Sequence, residues 1–422
     1  MNDTPLVGAS SAADAGRRTP SFREACALVR DELRAGPKVP GSPRGVALLI
    51  VLMVVAILTA FSAEYQYKSY VRLHVASNMR DEVTAYYHAR SAMEVARLVV
   101  KSQNIVTNML NAVAAFAPNM KNQNIELWTF ACEFANAFCT GKLTLMGKPF
   151  FDFTGMGGVG VEKGGFCKCR AQPEDGRVNL NAVDTPEDKQ TLFAELYGQL
   201  VAKRKEELAA GEVDREIAEL ALNIIDFADA DETKSDFVSG AVVDAAGGEG
   251  ALGQGAIDPK NAKFDTLEEM RLVSGISPQQ YCEVAQEFTP YATQKLNINT
   301  ASLRTLRRIL CSNAQPGTES ACYGYPNAVD LGLYCADMCR TLRQALMSPG
   351  FGNVNQFLTL FDKLPADWGE RPILKKDVLN QRLGTQSRVI RIETVGGSYG
   401  TYRGLSAVID TATGEYIYWR EH

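Results

Sequence analysis

At 422 residues the chain has room for two or three domains and a well-buried core. Its net charge of −5 and pI near 5.5 lack the basic excess of a nucleic-acid binder, and 46% hydrophobic with 22% charged residues is the balance of a globular protein. Of the ten cysteines only Cys26 precedes residue 46; Cys132, Cys139, Cys167, Cys169, Cys282, Cys311, Cys322, Cys335 and Cys339 follow it, which fits an oxidising compartment beyond a membrane.

The first predicted element is the stretch "GVALLIVLMVVAILTAFSA". Its eighteen uncharged residues, 46–63, would span about 27 Å as a helix, enough for the hydrocarbon core of a bilayer. Ahead of them stand seven Lys/Arg (Arg17, Arg18, Arg23, Arg30, Arg34, Lys38, Arg44) against five acids, a bias that puts the amino terminus in the cytoplasm and the chain after Ala63 outside. A cleaved secretory signal with its site at Ala60-Phe61-Ser62 is the competing reading. The run is long for that, and the helical pattern does not stop at the cut. Ala85, Ala89, Ala92 and Ala96 follow at spacings of four, three and four, a small-residue stripe on one helical face. Arg90, Glu94, Arg97 and Lys101 lie largely off it, with Arg90 and Glu94 within ion-pair reach. One helix of about 55 residues is expected, half in lipid and half packed on a soluble domain.

Further along, "KLTLMGKPFFDF" is strand-like and the Gly-rich "TGMGGVGVEKGG" reads as a loop. "PEDGRVNLNAV" reads as a turn and a short strand with Val178 and Leu180 alternating. Residues 185–375 are mostly helical in pattern. Their first helix starts at a Thr185/Asp188 capping pair and ends at Gly211. "VSGAVVDAAGGEGALGQGAIDPKN" reads as a surface loop. Three strands close the chain, "SRVIRIETV", "TYRGLSAVID" and "EYIYWRE", with turns expected at Gly396-Gly397-Ser398 and Thr413-Gly414. The class is α+β: a long amino-terminal helix and an antiparallel sheet, interrupted by a large helical insertion.

Arg44-Gly45 before Val46 at the head of a retained helix resembles the amino terminus of type IV pilins and pseudopilins. "GRVNLNAV", "LALNIIDFADAD" with "FDTLEEMRLVSGISPQQYCEVAQEFTPY", and "KLNINTASLRTLRRIL" resemble, in this order, the hallmarks of the minor pseudopilin K of type II secretion systems. That resemblance implies a type IV pilin-like fold carrying an inserted α-helical domain. It divides the chain into a leader (1–45) removed by prepilin peptidase and a long helix (46–104, with 46–63 transmembrane). A first part of the pilin-like domain (105–184), the insertion (185–375) and the terminal strands (376–422) follow. It implies methylation of the new amino terminus, single-pass residence in the bacterial inner membrane with the rest in the periplasm, and no enzymatic activity. It also implies a place at the pseudopilus tip with minor pseudopilins I and J and the other pseudopilins. Most pilin-like chains carry Glu at the fifth mature position, where a carboxylate in an apolar filament core needs a neighbouring amine. Here that position is Ile50, and the K subunit is the family member that characteristically lacks this Glu. The 45-residue leader is far longer than the family's usual one, and the cysteine-rich part, 311–339, is not a family feature.

Three constellations are candidate sites. "DFADADETKSDF" gathers Asp226, Asp229, Asp231, Glu232 and Asp236; Lys234 and Gly240 stand where an EF-hand needs glycine and glutamate, yet oxygen ligands clustered on a loop suit Ca²⁺, which the resemblance also implies. "KLNINTASLRTLRRIL" and "LEEMRLVSGIS" look like pieces of helix-hairpin-helix modules, so a membrane-anchored DNA-binding or DNA-uptake protein is the alternative function. In the first piece Asn299 or Thr300 would cap a helix turning Leu303, Leu306, Ile309 and Leu310 inward, and Arg304, Arg307 and Arg308 would make a modest basic face. Without the second glycine of a phosphate-binding hairpin, structural use and no nucleic-acid partner are expected. Cys167-x-Cys169 and Cys335-x3-Cys339 lack the paired knuckles of a zinc site. Disulfides are expected instead: Cys132–Cys139 locally, and two among Cys311, Cys322, Cys335 and Cys339. No nucleophile elbow, P-loop or HExxH motif is present, which leaves little support for a hydrolase or a small-molecule substrate.

Overall fold

The computed structural model describes residues 44–103, 105–108, 126–145, 148–152, 161, 164–201, 214–248, 259–293, 295–315, 317–322, 327–345 and 350–422, with Ala27 and Arg30. The chain divides into two compact units, residues 1–75 and 76–422. The Gly-rich segment at 153–160, the expected helix end at Gly211 and Cys26 lie outside the described residues.

A single helix, α1 (Arg44–Lys101), runs for 58 residues, as the two joined patterns predict. In the first unit every residue from 45 to 75 is exposed, and the helix is long and apolar enough to cross a membrane. In the second unit its face changes character. Ala85, Ala89, Ala92 and Ala96 are 0% exposed and pack with Met93 and Val100 against α2 (Trp128–Thr140) and a sheet. Glu94 pairs with Arg97 at 3.6 Å rather than with Arg90, which reaches the Tyr86 hydroxyl.

A hairpin, β1 (Lys142–Leu145) and β2 (Lys148–Asp152), follows α2, and then β3 (Gly165–Pro173) enters the main sheet. From there the chain leaves for two helical lobes. The first lobe opens at β4 (Val178–Asn179) and contains α3 (Pro186–Val201), α4 (Arg215–Ala228), the hairpin β5 (Thr233–Val238) and β6 (Ala241–Gly248), and α5 (Pro278–Val284). It closes at β7 (Phe288–Thr289), which pairs in parallel with β4. The second opens at β8 (Leu296–Asn297) and contains α6 (Leu303–Ser312), α7 (Ala328–Ala345), α8 (Val354–Asp362) and α9 (Lys376–Arg382). It closes at β9 (Leu383–Gly384), parallel to β8. Each lobe has its own core, centred on Leu180, Leu196, Ile225 and Phe288 in one and on Ile298, Leu306, Phe357 and Phe361 in the other. The chain then returns as β10 (Val389–Ser398), β11 (Thr401–Asp410) and β12 (Tyr416–Glu421), giving an antiparallel sheet in the order β12-β11-β10-β3.

Several expectations are corrected. "VSGAVVDAAGG" is no loop: Val238 pairs with Ala241 across Ser239-Gly240, both at positive φ, and Phe237 stacks on Phe193 at 4.5 Å. The turn expected at Gly396-Gly397-Ser398 sits one step later, at Tyr399-Gly400, again both at positive φ. Gly396 lies inside β10 because α1 lies on it: a Cβ there would stand 2.0 Å from the Ala85 carbonyl oxygen and 2.4 Å from the Ala89 nitrogen. The expected cap of α6 is neither Asn299 nor Thr300. Ser302 receives the Thr305 N–H, while Leu306, Ile309 and Leu310 do turn inward.

The local Cys132–Cys139 bridge does not form. Seven residues of helix separate the two by about 10 Å, beyond the roughly 7 Å that a disulfide spans. The two instead share one face of α2, and Cys167 and Cys169 share one face of β3, so Cys132 bonds Cys169 and Cys139 bonds Cys167. Between the bridges Asn136 binds the Cys169 backbone, accepting its N–H at 2.8 Å and donating to its carbonyl at 3.3 Å. Cys311–Cys322 is the only bridge among the four downstream candidates; Cys335 and Cys339 are thiols on α7, as is Cys282 on α5.

Peptide mapping under non-reducing conditions should therefore recover Cys132 with Cys169 and Cys139 with Cys167, and no peptide closed by Cys132–Cys139. Gly396→Ala should destabilise the folded domain by about 3 kcal/mol, since helix and sheet must part. Gly400→Ala, where nothing lies within 4 Å of the added carbon, should cost about 1–2 kcal/mol through its left-handed backbone alone. Thermal unfolding of the two variants checks the order.

Candidate functional site

The residues singled out at the amino end lie on one uninterrupted helix. Val46 and Ile50 are 58% and 56% exposed, and no charge occurs until Glu64, which pairs with Lys68 one turn on at 2.6 Å. Thr59, the one hydroxyl inside the apolar run before Ser62, gives its proton to the Val55 and Ala56 carbonyls at 2.9 and 2.8 Å, so it presents no unmet donor to an apolar surrounding. Gly45 precedes Val46 with nothing within 4 Å of where a side chain would stand.

The acidic segment is not one loop. Asp226 is buried in the last turn of α4, and both its oxygens accept the Ser235 N–H at 3.1 Å. Burial pushes its carboxyl up to about 6. Asp229 is buried just past the helix, Asp231 sits in the following turn, and Asp236 is exposed on β5, accepting the Phe237 N–H. What lies among them is Lys189 of α3, 2.7 Å from Asp229, 3.1 Å from Asp231 and 3.9 Å from Asp244. Among the described residues no three acids, histidines or cysteines are grouped as a metal ion would need. The four predicted ligands are not placed as Ca²⁺ would need: Asp226 and Asp236 each accept a backbone N–H, and Asp229 and Asp231 face the Lys189 ammonium.

Arg304, Arg307 and Arg308 do not form a shared basic face. Arg307 pairs with Asp330 at 2.7 Å and donates to the Cys322 carbonyl, while Arg308 is drawn inward to Glu195 at 3.4 Å and to the Glu195 carbonyl at 2.9 Å. Only Arg304 is exposed. The hairpin-like pieces build the lobes instead. Thr266 and Ser277 each start a helical turn with a capping box, closed by Glu269 and Gln280.

Two sets of residues were missed in the sequence. Asn179-Leu180-Asn181 and Asn297-Ile298-Asn299 repeat one arrangement. The first Asn accepts the N–H of the second at 2.9 Å, and the second clasps a distant Phe by both backbone groups: Asn181 takes Phe264, Asn299 takes Phe351. The signal was in plain view as a repeated N-x-N. The other set is Glu174-Asp175, fully buried where the chain leaves β3. Asp175 accepts from the Thr293 N–H and hydroxyl, both at 2.7 Å, and from the N–H groups of Arg388 and Val389 at 2.6 and 2.8 Å. Glu174 binds Arg391 at 2.6 Å.

A long helix packed by its second half on an antiparallel sheet, with helical lobes inserted between the sheet's first and second strands in sequence, is a pilin-like α+β fold with an inserted helical domain. No protein-family model and no curated protein sequence matches the chain. Among solved structures it is similar to a chain of the GspK-GspI-GspJ complex from the type 2 secretion system of enterotoxigenic Escherichia coli. The TM-score is 0.40 and the identity 19%, over 61% of this chain and 80% of that one.

Burial lifts the Glu195 carboxyl to about 7 against the opposing pull of Arg308, with the charge of Glu287 adding to the rise. A raised carboxyl favours the folded state in its protonated form. Its contribution is complete below pH 4.5 and falls away as pH rises through about 7. Glu195→Gln should remove that part of the slope of melting temperature against pH over this window, measured by calorimetry at a series of pH values.

Proposed function

We propose that the chain is a minor pseudopilin of a type II secretion system, of the K kind, standing at the tip of the pseudopilus. There it would support filament initiation and so the export of folded proteins across the outer membrane. The observation that carries this reading is the amino-terminal helix. It enters through Arg44-Gly45, holds an unbroken apolar surface to Ala63, has Ile50 at the fifth position, and buries its small-residue face on a sheet from Ala85 onward.

Each part of that helix has a task in the proposed cycle. A membrane peptidase acting on the cytoplasmic side would cut after Gly45 and leave Val46 as the new, methylated amino terminus. Residues 46–63 would hold the protein in the inner membrane, its second unit in the periplasm, until the same apolar surface passes from lipid to the filament core. A subunit above would need a carboxylate at the fifth position to neutralise its amine; Ile50 offers none, and it carries no desolvation penalty when nothing sits beyond it. Minor pseudopilins of the I and J kinds would sit alongside and below, and the two helical lobes would give the tip its bulk. No reaction is assigned to the chain.

Mass spectrometry of the protein extracted from membranes should find an amino terminus at Val46 with one added methyl group, and Gly45→Val should leave the leader attached. A terminus near Ala63 would make the segment an ordinary secretory signal, and one at Met1 a permanent anchor; either ends the reading. Co-purification of partners with the intact protein, and its loss in the Gly45→Val variant, tests the tip assembly.

A further inference from the structure

Lys189 has no place in the sequence argument, yet three carboxylates from two segments converge on it. Asp229 follows the end of α4, Asp231 lies in the next turn, and Asp244 comes from β6; Lys189 itself is in the first turn of α3. Its side chain is 12% exposed and that of Asp229 2% exposed, so the closest contact is well shielded from water.

We infer that the Lys189 ammonium is the resident cation of this acidic cluster, and that the first lobe is closed without a divalent ion. The donor set argues for this. Ca²⁺ takes about six to eight oxygens at 2.3–2.6 Å from all sides. Here both oxygens of Asp226 serve the Ser235 N–H, one oxygen of Asp231 serves the Thr233 N–H, and one oxygen of Asp236 serves the Phe237 N–H. An ammonium carries a single charge and three protons, enough for the contacts to Asp229 at 2.7 Å and Asp231 at 3.1 Å, with Asp244 at 3.9 Å adding charge attraction alone. A divalent ion entering would also have to expel a shielded positive charge tethered to α3. Through this contact α3 is fastened to the end of α4 and to the β5–β6 hairpin, the work that a metal bridging the same carboxylates would do. The inference concerns the closure of one lobe and does not depend on the filament reading.

The test uses the full-length protein in detergent. Wild type should melt at the same temperature in EGTA and in millimolar CaCl₂, and calorimetric titration with CaCl₂ should show no saturable heat. Lys189→Ala leaves the carboxylates unneutralised and should melt about 10 °C lower. CaCl₂ should recover part of that loss where KCl of equal ionic strength does not. Asp231→Asn, which removes a half-exposed partner, should stay folded and as indifferent to Ca²⁺ as wild type. That variant, with wild type, decides the matter if Lys189→Ala does not fold. A wild type that binds Ca²⁺ or is stabilised by it, with the response lost in Asp231→Asn, overturns the inference; so does a Lys189→Ala protein as stable as wild type.

Discussion

Asp175 is a buried carboxylate whose oxygens are filled by four donors from two distant parts of the chain, and the architecture hangs on that arrangement. A carboxylate taken out of water is costly unless its lone pairs are met. Here two donors come from Thr293, between the lobes, and two from residues 388 and 389, which enter β10 after the second lobe. The Asp175 carbonyl takes a fifth, from the Asn297 N–H at 2.7 Å. One residue thus senses the departure from the sheet, the passage between lobes and the return. β10 pairs with β3 across a gap of more than two hundred residues, and closing so long an excursion has an entropic cost that a fixed polar junction helps offset. Glu174, held by Arg391 of β10, sets the same register from the neighbouring position.

From that junction the lobes follow one plan. Each begins on a two-residue strand, places N-x-N directly after or within it, and clasps a Phe far along the chain. Each then ends on a strand parallel to its first. Parallel pairing forces a crossover, and in both lobes the crossover is the helical domain itself. The asparagines, buried in the second lobe and half-buried in the first, matter because an amide group can serve both backbone atoms of its Phe at once. Leu180 and Ile298, between the paired asparagines, point into separate cores, one for each lobe.

What the sequence made legible was periodic. The apolar run, the alanine stripe, the alternating terminal strands and the Thr185/Asp188 pair each carry their signal within a few residues, and each stands where expected. What it hid depends on neighbours distant in the chain. Gly396-Gly397 looks like a turn because glycine usually marks one; it is a strand interior where the α1 backbone and the Phe166 ring come too close for side chains. The cysteines at 132 and 139 look like a local pair, but their spacing of seven is two helical turns and that of 167 and 169 is one strand repeat. Once helix and strand are known, that pattern gives the true bridging. The acids at 226–236 read as one cluster along the chain, but in space Lys189, some forty residues earlier, lies against Asp229 and Asp231 while Asp226 and Asp236 turn to backbone amides.

Lys189 and Ile50 resolve the same electrostatic problem in opposite ways. A carboxylate away from water needs hydrogen-bond donors, as at Asp175, or a positive partner, which can come from solution, from another subunit or from the same chain. In the first lobe the acids are kept and the chain supplies its own ammonium, so closure asks for nothing from outside. At the fifth position after Gly45 the acid itself is absent. The helix therefore carries no charged side chain from Val46 to Ala63, and no carboxylate there asks for a partner's amine. A filament subunit with others stacked above it gains from a carboxylate there, because each pairing links it to the next. A subunit with nothing above it would only be left with an unpaired charge. In the filament proposed above, Ile50 would therefore suit an end of the assembly, and the alanine face from Ala85 onward would still fasten such a helix to its own domain.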